Sequence, residues 1–433
     1  MNETPKTTNV FKIRNFRLTF FGALVSELGA LLYSFAVSFY ILEISNNNAF
    51  LQGLYLAVCG IMLLLFTPVG GVLGDRFNKA KIMFLCDYVK GGLILFAIVL
   101  MLLFPSHGAH IPILFIIGIL GNAVSGIFSP ASGALFPHIV EENQLQQANA
   151  YFSIKSALQT VFGVVLAGIL YAALPIQLLF LLVGSCYILS GVSEMFIRYE
   201  HEAKEGRLTL RTAFSDMGEG LSYLKTQKAI IALMVAILFI NFFLSPIASN
   251  FIPFFIKSDV AGAPDYLFDN LLTPELWSSV FSVLLGISSL VGSVLMSAKP
   301  QEEKCGRKIA LRILATAFIM IGLTVSYHFS VDRGSSLNTF LLLFCGGCLI
   351  IGFLIACVNI PINTAFMRIV ERDKLSKVTS IVSIISQGLI PFSSILAGIV
   401  LQYLGCTPLL FVCTVGFTVS ALMLLFNKNV KDI

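Results

Sequence analysis

Charge is the scarcest ingredient of this chain. Only 12% of its 433 residues are Asp, Glu, Lys or Arg, while 57% are hydrophobic; an ordinary soluble domain carries about 25% charged residues. A water-soluble globule is excluded, and an integral membrane protein is implied. Enzyme signatures are missing too. There is no H-E-x-x-H, no G-x-S-x-G, no Walker A loop and no dinucleotide fingerprint. No catalysis, metal or cofactor is therefore expected, and uphill work would have to draw on an ion gradient. The nine cysteines show no framework spacing. Cys345-Gly-Gly-Cys348 has redox spacing but lies inside an apolar run without a βαβ context, so core packing is expected. The net charge of +5 sits in the connections. It speaks to topology and anionic lipid, not to nucleic acid.

What is present is long apolar runs, each near the roughly 20 residues a bilayer span needs. Twelve fit: Phe16–Ile44, Leu51–Gly74, Ile82–Phe104, Ile111–Leu135, Ala150–Ala173, Ile176–Ile197, Ala229–Ile256, Leu276–Ser297, Ile309–Phe329, Asn338–Phe366, Val378–Tyr403 and Pro408–Phe426. The runs are continuous rather than alternating, which selects helices over a barrel. The first run, preceded by Lys12 and Arg14, is far longer than a signal-peptide core and reads as an uncleaved helix. Of 28 Lys and Arg residues, 24 fall on one side if both termini are cytoplasmic. The expectation is a multi-pass protein of the cell membrane with both ends inside.

The polar stretch from Tyr199 to Lys228, with an amphipathic segment Leu210–Leu224, divides six spans from six. Expected domains are therefore 1–198, a linker 199–228, and 229–433. An internal repeat supports this division. At an offset of 230 residues, Phe136–Ile169 aligns with Phe366–Ile399, with identities that include Glu141/Glu371, Ser153/Ser383, Phe162/Phe392 and Ala167-Gly168/Ala397-Gly398. Two halves repeated in the same topology imply a pseudo-two-fold axis along the membrane normal and a solute path between the halves.

The connection after the second run reads GVLGDRFNKAK, Gly71 to Lys81. Gly71 and Gly74 should let two helices approach closely there. The stretch resembles the G-x-x-x-D-R-x-G-R-R/K loop of the major facilitator superfamily, with Gly71, Asp75, Arg76 and Lys79 matching. Asn78 stands where that loop has glycine, as if positive φ were needed. Asp87 and Lys90 resemble the D-x-x-R that follows in efflux relatives. At i, i+3 they are expected to pair locally in a structural role. Asn359-Ile-Pro-Ile-Asn363 resembles the N-x-P-x-N of macrolide-efflux-type exporters. Two features depart from the wider superfamily: the fourth run has no arginine, and Gly163–Gly168 lacks the proline of the antiporter G-P-x-x-G-G. The resemblance implies twelve helices in two six-helix bundles. It also implies rocker-switch alternating access, with Asp75 capping the eleventh helix near Ser376–Thr379 when the inner side is closed.

Glu27 is the sharpest single residue. It lies about 16 Å into the first helix at 1.5 Å per residue, where a carboxylate is expensive unless it faces water or a partner. It reads either as a cavity acid that binds protons or a cationic substrate, or as a glutamate bonded to a neighbouring helix. Ser34 and Ser38 share its face. Lys155 and Glu194 lie near helix ends and are expected to snorkel. Uncharged amides form a second group, with Asn122, Gln159, Asn241, Asn359, Asn363 and Gln387 as cavity-lining candidates and Asn250 beside them. The phenylalanines of the seventh run (Phe239, Phe242, Phe243, Phe251, Phe254, Phe255) read as packing or an adaptable aromatic wall. The expected function is proton-coupled efflux of an amphiphilic small molecule by a monomer in lipid. A specific exporter or flippase of a metabolite, siderophore or lysophospholipid is the alternative, and a non-transporting membrane sensor the reading from another class.

Overall fold

The computed structural model describes residues 10–140, 144–198, 228–297, 306–334, 336–369 and 384–427. Among them all regular structure is helical, and twelve helices are long and apolar enough to cross a membrane. The first four are α1 (Arg14–Ile44), α2 (Ala49–Arg76), α3 (Lys79–Leu103) and α4 (His107–Leu135). α5 comprises Leu145–Leu158, a π-helical turn at Gln159–Gly163 and Val164–Ala173. α6 is Ile176–Met195. α7 runs from Lys228–Pro246 through π-helical turns at Ile247–Phe251 and Ile256–Val260, with Ile252–Phe255 between them. The last five are α8 (Pro274–Ser297), α9 (Gly306–Tyr327), α10 (Leu337–Ile369), α11 (Ile390–Leu404) and α12 (Cys406–Phe426). Wherever they are described, the apolar runs are helical, because hydrocarbon leaves the backbone no partner but itself. In each span's most apolar stretch the buried residues are the minority, as expected where the surrounding solvent is lipid.

By contacts the chain falls into two units. One is Met1–Val37 with Cys59–Ala213; the other is Ser38–Val58 with Phe214–Ile433. The α1–α2 junction thus groups with the C-terminal helices. The expected amphipathic segment Leu210–Leu224, and residues 370–383 of the second repeat copy, lie outside the described residues.

In the first unit, Phe16, Met83, Ala131 and Leu135 anchor a buried core. Phe11, Phe16, Phe20, Tyr151 and Phe152 cover it with edge-to-face rings, such as Phe11–Tyr151 at 4.7 Å. The close approach expected at Gly71 and Gly74 is displaced by one residue. A Cβ on Gly70 would fall 2.6 Å from both Gly126 O and Ile127 Cα on α4, whereas one on Gly71 meets nothing within 4 Å among the described residues, and one on Gly74 makes ordinary contact at 3.6 Å. Asn78 likewise differs from expectation. Its φ is −59°, and its side chain caps α3 by accepting from the Lys81 N–H. A helix start wants an acceptor at this place, and that explains the substitution better than backbone freedom does.

In the second unit the core is formed by α7, α9, α10 and α12 around Leu233, Ile313, Met320 and Phe417. Phe251 and Phe255 are buried and packed on Tyr327, Phe340 and Phe344, while Phe239 faces outward. Cys345 and Cys348 are free thiols. The α1–α2 turn uses Asn46 and Asn47 at φ 54° and 60°, values asparagine tolerates. Asn48 caps α2 through the Leu51 N–H, and the Gln402 side chain accepts from Ala49 N–H at 2.8 Å. α2 lies on α11 where glycines meet: a Cβ on Gly398 would sit 3.1 Å from Gly53 Cα. Lys257, one residue past the expected seventh run Ala229–Ile256, is part of the lengthened α7. Its ammonium donates to Glu43 at 3.1 Å and Glu275 at 2.9 Å.

Gly70→Ala should destabilise the purified protein by about 1–3 kcal/mol, because backbone rather than a flexible side chain blocks the new methyl. Gly71→Ala should leave the melting temperature unchanged. Thermal unfolding in detergent compares the two directly.

Candidate functional site

α1 and α5 meet where Gly163 leaves space: a Cβ there would lie 3.2 Å from Leu28 and 3.3 Å from Leu31. That contact brings Lys155 to Glu27. The ammonium donates to Glu27 Oε1 at 2.6 Å. Lys155 does not snorkel as expected: its side chain is 2% exposed, while that of Glu27 is 50% exposed. The cation is also 4.7 Å from the centre of the Phe152 ring, a cation–π distance. One turn on, Gln159 opens the π-helical turn and donates to Leu24 O at 3.1 Å. The deep acid is therefore bonded to a neighbouring helix, one of the two readings that its sequence position left open. It is one end of an ion pair whose buried partner comes from 128 residues away. Such a pair can trade its internal bond for a proton or a cation on the exposed oxygen, leaving the lysine held by the aromatic ring.

The remaining candidates are scattered. Ser34 is exposed on the Glu27 face of α1, but Ser38 is buried in the other unit, where Gln52 donates to it at 2.7 Å. Asn122 donates to Gly118 O in its own helix, and Asn241 to Ser386 O. Asn250 is fully buried and donates to Ser394 O at 3.3 Å. Asn359 and Gln387 are exposed. The side chains of Asn363 and Asp75, and the expected capping partners 376–379, lie outside the described residues. Arg76 is exposed and Lys79 buried. Asp87 and Lys90 do not close the expected pair. Neither Asp87 oxygen closes a hydrogen bond of good geometry, and the Lys90 ammonium lies 5.1 Å from the Phe128 ring centre and 5.2 Å from that of Tyr187.

Two residues that the sequence reading passed over serve prolines. Pro361 interrupts α10 and cannot bond the carbonyl four residues earlier, Cys357 O. Arg312 of α9 donates to that oxygen at 2.6 Å. Gln52 reaches Ser249 O at 3.3 Å, the carbonyl four residues before Pro253. A polar side chain inside a run facing a proline on another helix is the signal that was available.

The protein-family model for the Major Facilitator Superfamily matches residues 19–394. The chain belongs to the Major Facilitator Superfamily. This facilitator is a multi-pass secondary transporter of small molecules, and not an enzyme. It is 25% identical to the uncharacterized MFS-type transporter YkuC of Bacillus subtilis over 66% of this chain and 65% of that one. It is 23% identical to YvqJ of the same organism over 96% and 93%. It is also 21% identical to macrolide efflux protein A of Streptococcus pyogenes over 91% and 92%. In fold it resembles the D-xylose–proton symporter, with a TM-score of 0.71 at 13% identity over 98% of this chain and 100% of that one.

Arg312→Ala should cost about 1–3 kcal/mol by stranding a buried carbonyl. Most of that loss should vanish in a Pro361→Ala background, where the helix supplies its own N–H. A double-mutant cycle on thermal stability measures the difference.

Proposed function

We propose that this transporter exports amphiphilic small molecules in exchange for protons, by alternating access. The observation that carries the reading is the Glu27–Lys155 pair: a half-exposed carboxylate deep in a span, held at 2.6 Å by a buried lysine. Protonation of Glu27, or arrival of a cationic substrate, releases the lysine, so the two ligands compete for one oxygen. An acid whose bonds differ between states biases the equilibrium between them. The similarity to macrolide efflux protein A supports export. So does a 25% identity to the putative bacilysin exporter BacE of Bacillus subtilis over 72% of this chain and 86% of that one. The name of BacE favours a second reading, export of one specific metabolite rather than of many drugs.

In this proposal both termini are cytoplasmic and the protein works as a monomer. Gly71, Asp75, Arg76 and Lys79 act at the inner gate, and Ser34, Asn122, Gln159, Asn241, Asn359, Asn363 and Gln387 contribute polar groups along the route.

Inverted vesicles with an imposed pH gradient test the coupling. Wild type should accumulate a macrolide or a lipophilic cation when the lumen is acidic. Glu27→Gln should bring gradient-driven accumulation to background while keeping downhill exchange. Full gradient dependence in that variant would remove Glu27 as the coupling acid. Stimulation by a single metabolite and by no drug would select the specific-exporter reading.

A further inference from the structure

A second ionisable group of residues lies inside the first unit, away from Glu27. Asp87 and Lys90 of α3 face Glu194 of α6, and each interacts electrostatically with the other two. Asp87 and Glu194 are both 0% exposed, and Lys90 is 9% exposed. Neither oxygen of Glu194 has a hydrogen-bond partner among the described residues. The donor nearest Asp87 is the Ser190 hydroxyl, 1% exposed, which lies beside the carboxylate without closing a hydrogen bond of good geometry. The wall is completed by Cys86 on α3, Phe128 on α4, Tyr187 on α6 and Tyr33 on α1.

Glycines close this chamber. A Cβ on Gly91 would lie 3.0 Å from Gly184 O, and one on Gly191 3.3 Å from Phe84 O, so α3 and α6 touch at backbone distance. Gly22 of α1 makes room for the acid itself: a Cβ there would lie 3.3 Å from Glu194 Cγ. α1 thus packs directly against Glu194, and it is also the helix that carries Glu27.

Two carboxylates and one ammonium sum to a charge of −1 when all are ionised. A sealed apolar chamber does not keep an uncompensated charge, because several kcal/mol of lost hydration would be unreturned. A calcium or magnesium ion would need six or more oxygens, and no group of three or more metal-binding side chains occurs among the described residues. We propose that Asp87, Lys90 and Glu194 bind one exchangeable proton. It bridges the two carboxyl groups while Lys90 balances the remaining charge. The proton leaves when α1 moves off Glu194 and water enters. As a second coupling site this rests on the proton-driven reading above; as a proton site it does not.

Infrared spectra of the full-length protein in phosphatidylcholine liposomes test it without any substrate. At neutral pH the wild type should show one protonated-carboxyl stretch that shifts in D2O and fades as the pH is raised. Glu194→Gln and Asp87→Asn should each abolish it, since a single acid beside Lys90 is already neutral. Lys90→Met should double it, because two acids then need two protons. Glu27→Gln should leave it intact, which separates this site from failure of the Glu27 proposal. Absence of the band in wild type would overturn the inference. So would its full persistence in the Asp87→Asn/Glu194→Gln double variant, or a band that neither titrates nor exchanges.

Discussion

Hydrocarbon offers neither donors nor acceptors, and the rest of this fold follows from that. Each backbone group must be bonded within the protein, so the apolar runs are helical wherever they are described and every irregularity needs a substitute partner. The prolines show how this is met. Arg312 replaces the N–H that Pro361 lacks, and Gln52 supplements the carbonyl before Pro253. Several hydroxyls are satisfied locally: Thr67, Ser125 and Thr418 each bond the carbonyl four residues back in their own helix.

The same constraint governs charge. Lys155 is buried and holds the half-exposed Glu27, and Lys257 lies between Glu43 and Glu275. In each case a long flexible cation reaches an acid on another segment, and burial of the aliphatic stem keeps it there. The Asp87–Lys90–Glu194 chamber follows a different rule, with two acids to one base and no hydrogen bond of good geometry to either carboxylate. That imbalance, and not burial alone, distinguishes it from the structural pairs.

Close helix contacts are set by glycine. Where bilayer and bundle are equally apolar, helices gain from packing at short range, and Gly70 on Gly126, Gly91 on Gly184 and Gly53 on Gly398 provide it. The resulting architecture is shared at a TM-score of 0.71 with a symporter only 13% identical. What is transported therefore depends on individual side chains on a common frame.

Hydropathy is a property of neighbouring residues, so the twelve spans could be read from the chain, and the loop signature with its Asp75-Arg76 pair gave the family. Glu27 also stood out, because a carboxylate amid apolar residues is conspicuous wherever it lies. Its partner did not, since Lys155 is 128 residues away and only the α1–α5 contact joins them. The close glycine was misplaced from Gly70 to Gly71 because one residue turns a helix by about 100°, and only packing fixes that rotation. Asp87 and Lys90 had the spacing of a pair, yet Phe128 and Tyr187 draw the lysine to the rings. The order of residues determined which segments enter the membrane; the tertiary structure decided which polar groups meet there, because those meetings depend on how separate helices are turned toward one another.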